Sequence, residues 1–244
     1  MTKKRVDTLM VEQGLVNTLD KATALILARK VRVNQQVIYF AGMRVDEKVA
    51  ISIKTEKKFV SRGGYKLEAG LSHFGVFPKD KICADVGACT GGFTDVLLQN
   101  GAKRVYAIDV GYGDLAWKLR QDPRIVVMER TNVRKVSALP EKISLVVVDV
   151  SFISLKLVLP VLRKWLTTHG DVITLVKPQF EAEKKYVGKG GVIRDSQVHK
   201  MVLTNMTTWA VEHNWNVHDI IPSPITGSAG NQEFLLHLTN GQVM

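Results

Sequence analysis

Between two short apolar runs, Ile82-Cys83-Ala84 and Val96-Leu97-Leu98, lies the stretch Asp85-Val-Gly-Ala-Cys-Thr-Gly-Gly-Phe-Thr-Asp95. An apolar strand, a glycine turn and a helix start mark the point where an open α/β sheet binds a nucleotide-like ligand. A turn of this kind needs parallel strands beside it, and the chain supplies them at even intervals. Val105-Tyr106-Ala107-Ile108 runs into Asp109, Ile125-Val126-Val127-Met128 into Glu129, Leu145-Val146-Val147-Val148 into Asp149, and Val172-Ile173-Thr174-Leu175-Val176 into Lys177. Each run is short, apolar and β-branched, with helical segments between, as parallel strands covered on both faces require. All four finish on a charged residue at the carboxyl end, the edge where such sheets hold their ligands, so a shared site explains the pattern.

The remainder of the chain fits around that sheet. Residues 195–214 carry Val198, Met201, Val202, Met206, Trp209 and Ala210 on one helical stripe, read as core. Residues 217–221 and 233–238, separated by Pro222, Pro224, Gly227 and Gly230, read as two closing strands paired antiparallel at the sheet edge. Lys184-Lys185-Tyr186-Val187-Gly188-Lys189-Gly190-Gly191 reads as a mobile basic loop over the site.

The first quarter of the chain has a different character. Residues 1–66 hold 14 Lys and Arg against 6 Asp and Glu, a net +8 of the chain's +11. That concentration points to a polyanion-binding front on a nearly neutral body, nucleic acid being favoured over a merely solvated basic face. Val6, Leu9 and Met10 stand at helical spacing before Gly14, and a second helix, capped by Thr18 or Asn17, presents Ala22, Leu25, Ile26 and Ala28. Val31-Arg32-Val33, the turn Asn34-Gln35-Gln36 and Val37-Ile38-Tyr39 alternate as a hairpin, with Val49, Ile51 and Ile53 on a further strand. The domain boundaries are therefore expected at 1–58 and 62–244, with a charged linker over 54–61. Lys66 falls in the first turn of the next helix, where a cation gains nothing from the helix dipole and another role has to be considered.

Several functions are disfavoured. No apolar run approaches the roughly 18–20 residues of a membrane span, and the basic start is not followed by a signal-peptide core. Cys83 and Cys89, one on a strand and one in the turn, suggest free thiols and a reduced, cytoplasmic setting. The six His residues show no ligand spacing with either Cys, so no metal site is expected. The turn itself lacks the G-x-G-x-x-G spacing and the Walker lysine. With Asp85 at the strand end and Asp109 about 20 residues on, suited to ribose hydroxyls, it fits an adenosine-type ligand without phosphates. S-adenosylmethionine leads, with an NAD-type site as the alternative.

Two resemblances sharpen this reading. Arg5-Val-Asp-x-Leu-Met, Gly14-Leu15, Lys21-Ala22, Ile26 and Val31-Arg32-Val33-Asn34-Gln35 resemble the small RNA-binding module named after ribosomal protein S-four. The resemblance implies that Arg5, Lys21, Arg29, Lys30 and Arg32 face structured RNA, where clustered cations release phosphate counterions. Asp85-x-Gly87-Ala88-x-x-Gly91-Gly92-Phe93 resembles the cofactor turn of FtsJ-like ribose 2′-O-methyltransferases. Ser-Arg-x-x-Tyr-Lys66, Val-Val-Asp149, Val-Lys177 and Gln-Glu233-Phe match, in order, the motifs of that family's Lys-Asp-Lys-Glu tetrad. Together the two halves resemble the TlyA family of ribosomal RNA cytidine 2′-O-methyltransferases, some of which carry a hemolysin label.

That resemblance implies a Rossmann-like class I methyltransferase sheet of seven mostly parallel strands, the last antiparallel, behind a small α+β RNA-binding domain. It implies S-adenosylmethionine on Asp85, Gly87, Ala88, Gly91, Gly92, Phe93, Asp109 and Asp149. Where many relatives hold the adenine with an Asp, this chain has Glu129-Arg130-Thr131-Asn132, and Asn132 is the position assigned. The chemistry needs a ribose hydroxyl held in line with the sulfonium methyl and its proton stabilised elsewhere. Lys177 is expected next to the 2′-oxygen as base or polarising group, its pKa depressed by a neighbouring cation, Lys66, while Asp149 and Glu233 orient the two ammonium groups. The competing readings are a non-catalytic RNA-binding or ribosome-assembly factor, a protein methyltransferase, and a membrane-active hemolysin.

Overall fold

The computed structural model describes residues 2–54 and 57–241, and the chain divides into two compact units, Met1–Lys58 and Phe59–Met244. The first unit opens with strand β1 (Lys3–Arg5) and helices α1 (Val6–Glu12) and α2 (Leu19–Leu27). It continues with β2 (Val31–Val33), β3 (Gln36–Val37), β4 (Arg44–Asp46) and β5 (Ile51–Ile53). Thr18 caps α2, its hydroxyl accepting from the Lys21 N–H at 3.2 Å. Asn34 and Gln35, at φ 47° and 70°, form the two-residue turn that joins β2 to β3, and β5 pairs on the other side of β2. Positive φ at both central residues gives the turn the hand that matches strand twist. The ladder ends at Val37, earlier than the sequence pattern suggests, because Ile38 turns into the core while Tyr39 and Phe40 stay exposed. A second ribbon, β1 antiparallel to β4, has no sequence signature, since Lys3-Lys4-Arg5 shows no apolar alternation. The core is Val6, Leu9 and Met10 of α1 against Ala22 and Ile26 of α2, closed by Val31, Val33 and Ile38.

The second unit starts at Phe59. Residues 59–61, expected at the end of the linker, belong to the unit itself: Phe59 is buried, and the Val60 N–H donates to Asp95 Oδ2 at 2.9 Å. Its elements are α3 (Gly63–Phe74), β6 (Ile82–Val86), α4 (Gly92–Gln99), β7 (Arg104–Ile108), α5 (Trp117–Arg120) and β8 (Ile125–Met128). Then come β9 (Ile143–Val148), α6 (Leu159–Leu162), β10 (Leu166–Val176), α7 (Pro178–Glu181), α8 (Ser196–Glu212), β11 (Trp215–Pro222) and β12 (Phe234–Asn240). The strands form one seven-stranded sheet in the order β11-β12-β10-β9-β6-β7-β8. Every pairing is parallel except those of β12, which lies antiparallel between β10 and β11. The fold class read from the sequence is thus the one observed, with β11 at the edge and the last strand inserted inside it.

Alternation assigns the two faces. Leu145 and Val147 point to one side with Leu67 and Leu71 of α3 and Val96 and Leu97 of α4. Val146 and Val148 point to the other, with Leu159 and Leu162 of α6 and Val198, Val202 and Met206 of α8. Both faces are covered, so the strands read as continuous apolar runs. The segment 184–191 folds as two short 3-10 turns, Lys184–Tyr186 and Lys189–Gly191.

Candidate functional site

Parallel pairing puts the ends of the central strands on one edge. Val86 stands opposite Ile108 and Val148, and Ile108 opposite Met128, so Gly87, Asp109, Glu129 and Asp149 leave the sheet side by side. The antiparallel strand adds what a parallel one could not. Val176 of β10 pairs with Phe234 of β12, so Glu233, at the amino end of its strand, arrives at the carboxyl edge next to Lys177. Helix α3 crosses β12, with Gly70 packed on Leu235, and aims Lys66 at the same edge.

Two ion pairs result. Lys66 Nζ lies 2.5 Å from Glu233 Oε2, and Lys177 Nζ lies 2.6 Å from Asp149 Oδ1. Lys66, Lys177 and Glu233 are all under 10% exposed, a setting in which charged groups persist only when paired. Lys177 also donates to Ser151 Oγ at 2.9 Å. Gly227 explains how Glu233 is reached by the preceding turn: a Cβ there would stand 2.5 Å from Glu233 Oε1.

Beside the ion pairs runs a groove of about 680 Å³, lined among others by Gly87, Cys89, Asp109, Asn132, Asp149 and Phe152. Gly87 has φ 88°, and a Cβ on it would collide with the Asp149 carbonyl oxygen, so glycine alone lets the turn close on the end of β9. Asp85 lies beneath the turn, fully buried. Its Oδ2 accepts from Thr94 Oγ1 at 2.6 Å, while Oδ1 accepts no hydrogen bond among the described residues. Burial first, and the charges of Asp149 and Asp109 after it, push the Asp85 carboxyl up to about 7 against the hydrogen bond from Thr94. Asp109 binds the turn to its own strand, accepting from the Cys89 N–H at 2.8 Å and the Gly111 N–H at 2.7 Å.

Other expected residues stand elsewhere. Phe93 points into the α3/α4 core, away from the groove, and Gly91 and Gly92 form the helix start behind it. Asn132 lines the groove, with its Oδ1 capping the short turn Val133–Lys135 through the Arg134 N–H at 3.1 Å. Glu129, also at the edge, is held by Arg120 and the Gly113 N–H, and the hydrogen bond from Arg120 keeps its carboxyl below the ordinary range. In the first unit Arg5, Lys21, Arg29 and Arg32 are exposed and Lys30 half-buried. Among the described residues no group of His, Cys, Asp and Glu could hold a metal ion, and no helix is long and apolar enough to cross a membrane.

Three residues escaped sequence reasoning. Ser151 holds Lys177, as described. Glu181, in α7 just after Lys177, accepts from Ser154 Oγ at 2.6 Å and the Leu155 N–H at 2.8 Å, fastening the segment after β9 to the segment after β10. Phe152 is 90% exposed at φ 64°, its ring 5.0 Å from that of Phe180, so a strained residue displays an aromatic face beside the ion pairs. Its position three residues after Asp149 was the only signal available.

Comparison with known proteins agrees with the architecture. The FtsJ-like methyltransferase family matches residues 59–240, and the S4 domain matches residues 4–51. The chain is 49% identical over 243 residues to YqxC of Bacillus subtilis, spanning 97% of this chain and 85% of the relative. It is 42% identical over 240 residues to the 16S/23S rRNA (cytidine-2′-O)-methyltransferase TlyA of Mycobacterium tuberculosis, spanning 97% and 90%. A solved structure from Streptococcus thermophilus that bears a hemolysin name superposes with a TM-score of 0.75 at 45% identity, covering 99% of this chain and 90% of that one. Matched by the methyltransferase family over most of its length, and by these relatives nearly end to end, the chain belongs to the TlyA family of FtsJ-like methyltransferases that carry an amino-terminal S4 domain.

Proposed function

We propose that the chain methylates the ribose 2′-oxygen of a cytidine in ribosomal RNA, with S-adenosylmethionine as donor. The observation that carries this reading is the two ion pairs, Lys66–Glu233, which is buried, and Lys177–Asp149, which is partly so, brought to one sheet edge beside the groove. The cytidine and the ribosomal RNA follow from the likeness to the M. tuberculosis 16S/23S rRNA (cytidine-2′-O)-methyltransferase.

The groove suits the donor. Its glycine turn offers backbone where a side chain would collide, and Asp109 keeps lone pairs for ribose hydroxyls beyond the two amide bonds it already accepts. Asn132 lines the groove and would take the adenine, and Asp149, with the Asp85 oxygen that accepts nothing among the described residues, would take the methionine end. When bound, S-adenosylmethionine supplies an electrophilic methyl group.

The protein's own part is to hold and deprotonate the acceptor. Lys177, fixed between Asp149 and Ser151, hydrogen-bonds the 2′-hydroxyl as the base or polarising group for its proton. Lys66, fixed by Glu233, stands as the second cation at that oxygen. Neither lysine has to search for its position, so the gain is one of orientation. Arg5, Lys21, Arg29, Lys30 and Arg32 dock the RNA through its phosphates.

The test incubates the chain with methyl-labelled S-adenosylmethionine and ribosomal subunits, then digests the RNA to nucleosides. Label in 2′-O-methylcytidine supports the reading. Label in protein, or on a base, overturns it, and donor binding without transfer favours the non-catalytic alternative.

A further inference from the structure

The first unit exposes more aromatic surface than its phosphate-binding role requires. Tyr39 and Phe40, directly after β3, are 54% and 76% exposed, and Met43, three residues on, is also exposed. The backbone here is defined: the Met43 N–H donates to the Phe40 carbonyl at 3.1 Å, the Asp7 N–H to that of Ala41, and the Val6 N–H to that of Met43. Exposure of these rings is therefore a property of an ordered turn tied to α1.

Two guanidinium groups bracket that turn. Arg29, at φ 57° just past α2, places its guanidinium carbon 5.4 Å from the centre of the Tyr39 ring and has no carboxylate partner among the described residues. Arg5 lies against the other end, 3.7 Å from where a Cβ on Gly42 would stand. It is held flat by Asp7, which is buried and takes Nε at 3.0 Å and Nη2 at 2.6 Å. Asp7 carries a lowered pKa, first through the hydrogen bond from Arg5, so the brace persists in acid.

We propose that Tyr39 and Phe40, with Arg29 and Arg5 at the flanks, form a stacking platform for an unpaired base of the bound RNA. This rests on the reading of the chain as an RNA methyltransferase. Phosphate contacts alone read a backbone, and an exposed aromatic face adds a contact that only an unstacked base can make. Charge selects this occupant over a protein: the platform lies in the segment holding a net +8, and Arg29 beside it has no carboxylate partner among the described residues. A few exposed side chains also fall far short of the roughly 800 Å² per partner of a stable protein interface.

The experiment measures binding of the full chain to a hairpin RNA with an unpaired loop and to a fully paired duplex of equal length, across a salt series. Phe40→Ala is expected to weaken hairpin binding by about 5- to 100-fold, with duplex affinity and the salt slope unchanged and with Phe40→Trp restoring the loss. An unaltered melting temperature shows that the fold is intact, as expected for so exposed a residue. Equal losses on both RNAs, or none on either, overturn the platform while leaving RNA binding standing. A wild-type chain that binds neither RNA overturns the platform together with the reading it rests on. A Phe40→Ala chain whose only change is in sedimentation assigns the face to a second copy of the chain and overturns the proposal.

Discussion

The two edges of the large sheet both collect charge, and they use it differently. Toward the amino edge, Asp171 of β10 takes Lys81 at 2.9 Å and His237 at 3.0 Å, and the His237 ring is stacked between Phe74 at 5.3 Å and His218 at 4.7 Å. His218 in turn meets Thr239 Oγ1 at 2.7 Å. Each of these polar groups ends on a partner, and the His237 ring is covered on both faces by rings. At the carboxyl edge Asp149 of one ion pair lines a groove, and Asp85 keeps one oxygen without a hydrogen-bond partner among the described residues. Clustered charge is thus common to a knot that holds strands together and to a site that does chemistry. What separates them is unspent hydrogen-bonding capacity beside open space, which a protein retains at a cost in stability.

Lys177→Met breaks the comparison most severely if the carboxyl edge is the reacting one. Methyl transfer is expected to fall about 10²- to 10⁴-fold, the usual worth of a positioned acid or base, with donor affinity nearly unchanged. A Lys177→Met chain that methylates at the wild-type rate would remove this edge from the chemistry. Asp85→Asn comes next, and two readouts bear on it. Donor binding, by calorimetry, should weaken about 10- to 100-fold if Asp85 supports the methionine end through a charged hydrogen bond. The stability readout has a definite sign. Asp85 titrates near 7 in the folded chain against an ordinary 3.8, so the folded state binds the extra proton and loses stability as pH rises from about 4 to 7. Asn has no such slope, so the Asp85→Asn melting temperature should gain on wild type between pH 5 and 8, by roughly 2–4 °C for each kcal/mol relieved. Glu181→Gln should do less: Ser154 and Leu155 lose a charged acceptor, the segment carrying Ser151 loosens, and turnover falls about 10-fold with donor affinity held.

How far the sequence discloses these edges follows from what each depends on. The carboxyl-edge residues are readable because each terminates an apolar run: Asp109, Asp149 and Lys177 are where period and composition change together. Glu233 is not readable that way, for it stands at the amino end of its strand and reaches the carboxyl edge only because that strand runs against β10; motif resemblance supplied its role. Glu129 looks equivalent to Asp149 in sequence, and only the tertiary arrival of Arg120 commits it to structure. Phe93 sits inside the glycine motif, yet its side chain belongs to the core, because the first turn of α4 rotates it away from the groove. Glu181 and Ser151 act through partners on another strand's loop, a relation sequence spacing does not carry. The amino-edge knot, whose members lie as far apart as Lys81 and His237, left no trace in the one-dimensional pattern.

That knot yields the smallest effect and the most direct contrast. Burial raises the Asp171 pKa, but the hydrogen bonds from His237 and Lys81 outweigh it and hold the carboxyl below its ordinary 3.8. A depressed carboxylate stabilises the fold above the unfolded value and gives that stability up as pH falls through the folded one. Asp171→Asn should therefore melt lower than wild type at neutral pH, by an amount on the order of 1–3 kcal/mol for a lost charged hydrogen-bond pair, and the gap should close below about pH 4. Because His237 and Lys81 point into the knot and away from the groove, methyl transfer at neutral pH should stay at the wild-type rate. Thermal melts from pH 3 to 8, paired with the transfer assay, read both quantities on one preparation. Loss of transfer at unchanged melting temperature would show that the two edges are coupled, and the amino edge would then have to be counted as part of the reacting assembly.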